Sequence, residues 1–128
     1  MQDTHTTFQQ VKSVIKKFQK ERGWDPHAKN LAISIAIEAA ELLEHFQWED
    51  YAEYEKKGHD KKKEIEKELA DVVIYCLEFA MKTDIDVARA IEEKLKVNAK
   101  KYPAHLFKNK EKSAQNYYKL KAKHRKGK

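Results

Sequence analysis

A chain of 128 residues with 38% charged residues, three Gly, two Pro and a single Cys fits one helical domain and excludes an internal disulfide. No apolar run approaches the length that spans a bilayer, and no apolar stretch follows a basic N-terminal segment, so neither a membrane anchor nor a signal peptide is expected. The net charge of +6 is uneven: residues 1–102 carry 18 Lys or Arg against 20 Asp or Glu, whereas residues 103–128 carry nine against Glu111 alone. Lone Cys76 sits in an apolar run and fits core packing in a reducing, cytoplasmic setting.

In chain order, Thr7 and Gln10 form a capping-box signature that opens a first helix reaching Arg22, with Phe8, Val11, Val14, Ile15 and Phe18 at helical spacing. Gly23 stops it, and Pro26 biases Asp25 away from helix, so residues 24–27 read as a loop. Asn30 suits the N-cap of a second helix to Phe46. A short helical turn is expected within residues 48–57, before Gly58. Asp60 caps a third helix to Lys82, residues 83–85 form a tight connection, and Asp86 caps a fourth helix that Pro103 ends after Tyr102. Residues 1–107 then make an all-α, four-helix bundle with short connections, and residues 108–128 a basic, partly ordered tail.

The second and third helices carry the chemistry. Apart from Ser34, Glu38 and Glu41, residues 31–43 are apolar all round, the pattern of a buried helix. Glu38 and Glu41 are three apart and share a face with Ser34 and His45. On the third helix Glu64, Glu68, Asp71 and Tyr75 line one face. Converging ionised carboxylates repel one another and resist burial, and a hard divalent cation resolves that conflict. Two helices that each offer an acidic pair at i and i+3 can close an oxygen cage at their interface. Glu64 and Glu66 are read not as ligands but as surface residues that lysines such as Lys62 and Lys67 can pair with, or as residues that support the ligands.

Glu38-x-x-Glu41 followed by Glu68-x-x-Asp71 resembles the signature of the MazG-like, all-α nucleoside triphosphate pyrophosphohydrolases, in particular their dCTP pyrophosphatase branch. The likeness spans most of residues 8–107. It includes Phe18-x-x-Glu21-Arg22-x-Trp24, Asn30-Leu31, residues 38–48, Glu68-Leu69-Ala70-Asp71-Val72-x-Ile74-Tyr75 and Asn98-x-x-x-Tyr102-Pro103-Ala104-His105-Leu106. The resemblance implies cleavage of a nucleoside triphosphate to the monophosphate and pyrophosphate, a house-cleaning reaction on the nucleotide pool. It also implies Mg²⁺, or Mn²⁺, on Glu38, Glu41, Glu68 and Asp71, and assembly into a homodimer or homotetramer, which would complete the core of a small bundle.

Within that resemblance, Lys94, Asn98, Lys101 and Tyr102 stand at helical spacings where they could clamp the phosphate chain. Trp24 and Trp48 are the first choices for stacking on the base, with Tyr75 against the sugar and His27 and Phe18 as further contacts. Two departures leave the base open among dCTP, dATP, dUTP and modified deoxynucleotides. The vertebrate dCTP enzymes carry a histidine where this chain has Ile15, and their loop before Asn30 is longer. The competing readings are a catalytically silent bundle whose basic tail holds nucleic acid or a protein, and a module that senses nucleotides without hydrolysing them.

Overall fold

A computed structural model describes residues 1–48, 53 and 61–126. Among these are five α-helices and no strand: α1 (Phe8–Arg22), α2 (Ala28–Glu44), α3 (Lys62–Lys82), α4 (Val87–Lys101) and α5 (Lys110–Lys126), with a 3₁₀ turn at Ala104–Leu106. The expected all-α class holds. The turn anticipated within residues 48–57 and the cap at Asp60 lie outside the described residues, apart from Trp48 and Glu53. The chain forms two compact units, Met1–Val87 and Ala88–Lys128.

Both ends of α1 follow from local chemistry. Thr7 Oγ1 accepts from Gln10 N at 3.2 Å, and Thr7 N donates to Gln10 Oε1 at 2.7 Å, which satisfies two otherwise orphaned amides. At the other end Gly23 takes φ 65° and Trp24 N reaches back to Gln19 O at 3.0 Å, the six-to-one bond of a left-handed helix stop. A β-carbon on Gly23 would meet nothing within 4 Å, so the left-handed φ alone calls for glycine there.

Helix α2 starts earlier than Asn30. Its N-cap is His27, with no side-chain cap bond, and Leu31 N donates to His27 O at 3.1 Å. The helix begins as soon as the chain leaves Pro26, and Asn30 sits inside its first turn. Its last helical residue is Glu44, two short of Phe46. Helix α3 ends as read from the sequence. Thr83 N and Oγ1 both donate to Phe79 O, Ile85 N donates to Ala80 O at 2.9 Å, and Asp84 takes φ 53°.

In the first unit α2 packs chiefly on α3, and α1 on α3. Among the described residues the buried apolar ones are Ile15 on α1, Leu31 on α2, and Leu77 and Ala80 on α3. Two ties hold the loops to this core: Lys12 Nζ donates to Ile85 O at 3.2 Å, and Lys82 Nζ pairs with Asp25 at 2.7 Å. That pairing, together with the charge of Lys82, holds the Asp25 carboxyl below the usual range.

Two burial expectations fail. Helix α2 is not enclosed: only Leu31 is buried, while Ile33, Ile37 and Leu43 are about half exposed. Cys76 is likewise exposed, not core. It follows Leu69 and Val73, both also exposed, at i, i+4 and i+7, so all three share one outward stripe of α3. An apolar sequence on every side of a helix shows that the helix can be covered, not that its own chain covers it.

In the second unit α4 carries surface ion pairs one turn apart, Arg89–Glu93 at 3.0 Å and Glu92–Lys96 at 2.7 Å. Residues 110–126, expected to be only partly ordered, form a full helix. Its anchors are polar and aromatic, which a search for apolar periodicity passes over. Asn116 Nδ2 donates to Leu106 O at 2.7 Å, and Tyr117 stacks on Tyr102 at 5.4 Å with the rings 22° apart.

Candidate functional site

The acids read from the sequence do converge. Oxygens of Glu38 and Glu41 on α2 and of Glu68 on α3 all lie within 4.8 Å of one another. Asp71, one turn beyond Glu68, lies outside that triplet but near enough for its charge to act on Glu38. The quartet is not deeply buried: Glu38, Glu68 and Asp71 are half-buried and Glu41 is exposed. Partial burial first, and then the like charges of Glu41, Asp71 and Glu68, push the Glu38 carboxyl above its ordinary value.

Such a set fits a hard cation. Oxygens bound to one Mg²⁺ at about 2.1 Å lie at most about 4.2 Å apart across the ion, so small side-chain rotations would suffice. The acids supply oxygen alone, and their mutual repulsion is the stress that a divalent charge relieves. Surface pairing elsewhere on α3 is as expected, with Lys62 at 3.8 Å from Glu66.

Beside the acids, Asp71 and Tyr75 lead into a cleft of about 790 Å³ walled by α1, the loop after it, α2 and α3. This is a volume typical of small-molecule sites, roughly 300–1,000 Å³. Trp24 and Phe18 line it and meet edge to face at 5.8 Å, with the Arg22 guanidinium 3.5 Å from the centre of the Phe18 ring. Tyr75 hydrogen-bonds with Ser34, which explains why Ser34 interrupts an apolar helix. Burial foremost, then the charges of Glu38, Glu78 and Asp71, raise the Tyr75 hydroxyl above its usual value, so it stays a neutral donor.

Other expected contacts fall elsewhere. Trp48 is 86% exposed and, like His27, is not part of this wall. His27 caps α2 and adds its charge to the field that lowers Asp25. His45 is half-buried at the C-terminal end of α2. Lys94, Asn98, Lys101 and Tyr102 belong to the second unit. There Lys94 is exposed, and Lys101 Nζ lies 5.1 Å from the centre of the Tyr102 ring. Tyr102 itself packs against Phe107 and Tyr117.

Two wall residues escaped the sequence reading, Gln19 and Glu78. Glu78 is the buried acid of the described residues, at 9% exposure, and burial pushes its carboxyl up while a hydrogen bond from Gln19 opposes the rise. The signal was present, since Glu78 follows Tyr75 by three positions and extends the stripe of Glu64, Glu68, Asp71 and Tyr75.

Comparison with known proteins agrees with this geometry. A model of the MazG-like family matches residues 33–117. The dCTP pyrophosphatase 1 of Rattus norvegicus is 32% identical and that of Homo sapiens 31%, each over an alignment of 104 residues that covers 78% of this chain and 61% of the relative. The chain thus spans about three fifths of the length of these relatives. A crystal structure of a pyrophosphatase from Archaeoglobus fulgidus superimposes with a TM-score of 0.73 at 37% identity, covering 80% of this chain and 98% of that one. With the paired acids on α2 and α3 inside the matched span, the chain belongs to the MazG-like family.

Proposed function

We propose that the protein is a divalent-metal-dependent pyrophosphohydrolase that cleaves nucleoside triphosphates between the α and β phosphates, releasing the monophosphate and pyrophosphate. The observation that carries this reading is the triplet of Glu38, Glu41 and Glu68 at the side of an apolar cleft shared with Asp71. One part of a nucleotide is polyanionic and needs cations, and the other is flat and apolar; the two regions match those halves. The relatives named as dCTP pyrophosphatases favour dCTP or a related deoxynucleotide as substrate.

The residues divide the work. Glu38, Glu41, Glu68 and Asp71 would together hold Mg²⁺, or Mn²⁺, and Glu41, the exposed member of the set, would be the one to orient the attacking water. When bound, the ion supplies charge neutralisation on the phosphates and lowers the pKa of a coordinated water. Trp24 and Phe18 offer aromatic faces to the base. Tyr75, fixed by Ser34, packs where the sugar would lie and disfavours a 2′-hydroxyl. Lys94, Asn98, Lys101 and Tyr102 remain the candidates for gripping the phosphate chain.

The protein is also proposed to work as a homodimer or homotetramer. Ile33 and Ile37 flank a groove floored by Ala32, Ala36 and Ala40 on α2, and Leu69, Val73 and Cys76 line the outer stripe of α3. A second copy covering these faces would bury what one chain leaves in water. Sedimentation at micromolar concentration should give a dimer or larger, and a monomer would exclude the assembly.

The deciding experiment measures pyrophosphate release from a panel of deoxy- and ribonucleoside triphosphates with Mg²⁺. Release from at least one deoxynucleotide, abolished by chelator and by Glu38→Gln, is expected. No release from any would sink the enzymatic reading. The tail favours a second reading, since nine cations against one acid over residues 103–128 suit a polyanion. Charge reversal at exposed Lys119, Lys123 and Arg125 separates the two: hydrolysis of small substrates should survive it, whereas nucleic-acid retention should not.

A further inference from the structure

Of the acids in the first unit, Glu78 stands apart. It is 9% exposed, on the wall of the aromatic cleft, and its hydrogen-bond partner is the neutral side chain of Gln19 across from it on α1. A buried carboxyl held by a neutral amide is costly, and a hydrophobic residue there would bind α1 to α3 more firmly. Its place along the helix is informative. Glu78 is seven residues from Asp71, two turns of α3 or roughly 10 Å along the axis. That is about the distance a nucleotide spans from its α-phosphate to the far edge of its base.

Resting on the nucleotide reading above, we propose that Glu78, positioned by Gln19, reads the base by accepting a hydrogen bond from its exocyclic amino group. The protein then selects cytosine over uracil, and adenine over hypoxanthine. Gln19 donates to one part of the carboxylate, and the lone pairs left over can only accept. Cytosine presents an N4 amino donor where uracil presents the O4 carbonyl, and adenine presents N6 where hypoxanthine presents O6. The oxo base would set two acceptors against each other at that position, a repulsion that the amino base does not meet. Ile15, on the same wall, offers no polar group to compete.

The test is kcat/KM for dCTP, dUTP, dATP and dITP at pH 8 with Mg²⁺, for the wild type and Glu78→Gln. A wild-type preference of about tenfold or more for each amino base over its oxo partner is expected, as for one well-formed base contact. In Glu78→Gln, whose amide can donate as well as accept, both ratios should fall to within about threefold of one. A proportional loss on all four nucleotides, with the ratios intact, would mean that Glu78 merely ties α1 to α3 and would overturn the proposal. Gln19→Ala is the second variant, which frees the carboxyl without removing it and should lower both ratios. Unchanged ratios in whichever variant keeps the wild-type helical circular dichroism also overturn it. A wild type that hydrolyses none of the four defeats the pyrophosphohydrolase reading itself and takes this proposal with it.

Discussion

Glu38 and Glu78 both act on Tyr75 from within one unit, and in both the carboxyl is held above its ordinary value. At Glu38 the half-buried carboxyl also feels Glu41, Asp71 and Glu68, so much of its environment is negative charge. At Glu78 the cause is burial, countered by a neutral amide. One region concentrates like charge in reach of water; the other withdraws a single acid from water. The first arrangement is relieved by a cation, the second by a hydrogen-bond donor. A shifted acid therefore has to be read by its neighbours before it is assigned a role.

The largest effect that can break this comparison is at the charged end. Glu38→Gln should lower pyrophosphate release by more than about a hundredfold, as loss of a ligand does more than loss of a residue supporting one. Mg²⁺ is expected to raise the melting temperature of the wild type at pH 7.5; the same substitution should abolish that rise, whereas Glu78→Gln should leave it intact. Equal losses in both variants would erase the distinction between the two regions.

Next in size is the aromatic wall. Trp24→Ala should raise KM about tenfold or more, in keeping with a stacking contact of roughly 1–3 kcal/mol. Trp48→Ala should have a smaller effect in the isolated chain, because Trp48 lies outside the cleft wall and is 86% exposed. A larger effect at Trp48 would mean that the base is held elsewhere.

Stability against pH separates the acids further. Because burial raises the folded-state value of Glu78, the folded protein holds its proton more tightly than the unfolded chain does. Relative to Glu78→Gln, the wild type should therefore match in melting temperature below the ordinary value of 4.5 and fall behind as pH climbs through the raised folded value. A gap that is constant from pH 4 to pH 8 would refute the burial account. The smallest expected change is Gly23→Ala, which forces a β-carbon into a left-handed φ with no clash to blame. It should cost about 1 kcal/mol of stability, read as a lower melting temperature.

Much of this was legible in the residue order because it depends on short-range rules. The two ends of α1, the close of α3 at residues 83–85 and the pairing of Glu38 with Glu41 and of Glu68 with Asp71 follow from capping chemistry and from 3.6 residues per turn. Asn30 was misread as a cap because its side chain suits that role, but Pro26 lets the helix begin sooner. Residues 110–126 gave little periodicity because Asn116 and Tyr117, not an apolar stripe, hold that helix in place.

The sequence alone determined which side chains share a helix face, and so which acids could meet. Tertiary structure decided which faces are covered, because burial depends on what packs against a helix, and periodicity carries no record of the neighbour. That is why Cys76 and Ile37 proved exposed, why Trp24 joined the cleft and Trp48 did not, and why Glu78, one more acid on a stripe of acids, became the buried one beside Gln19.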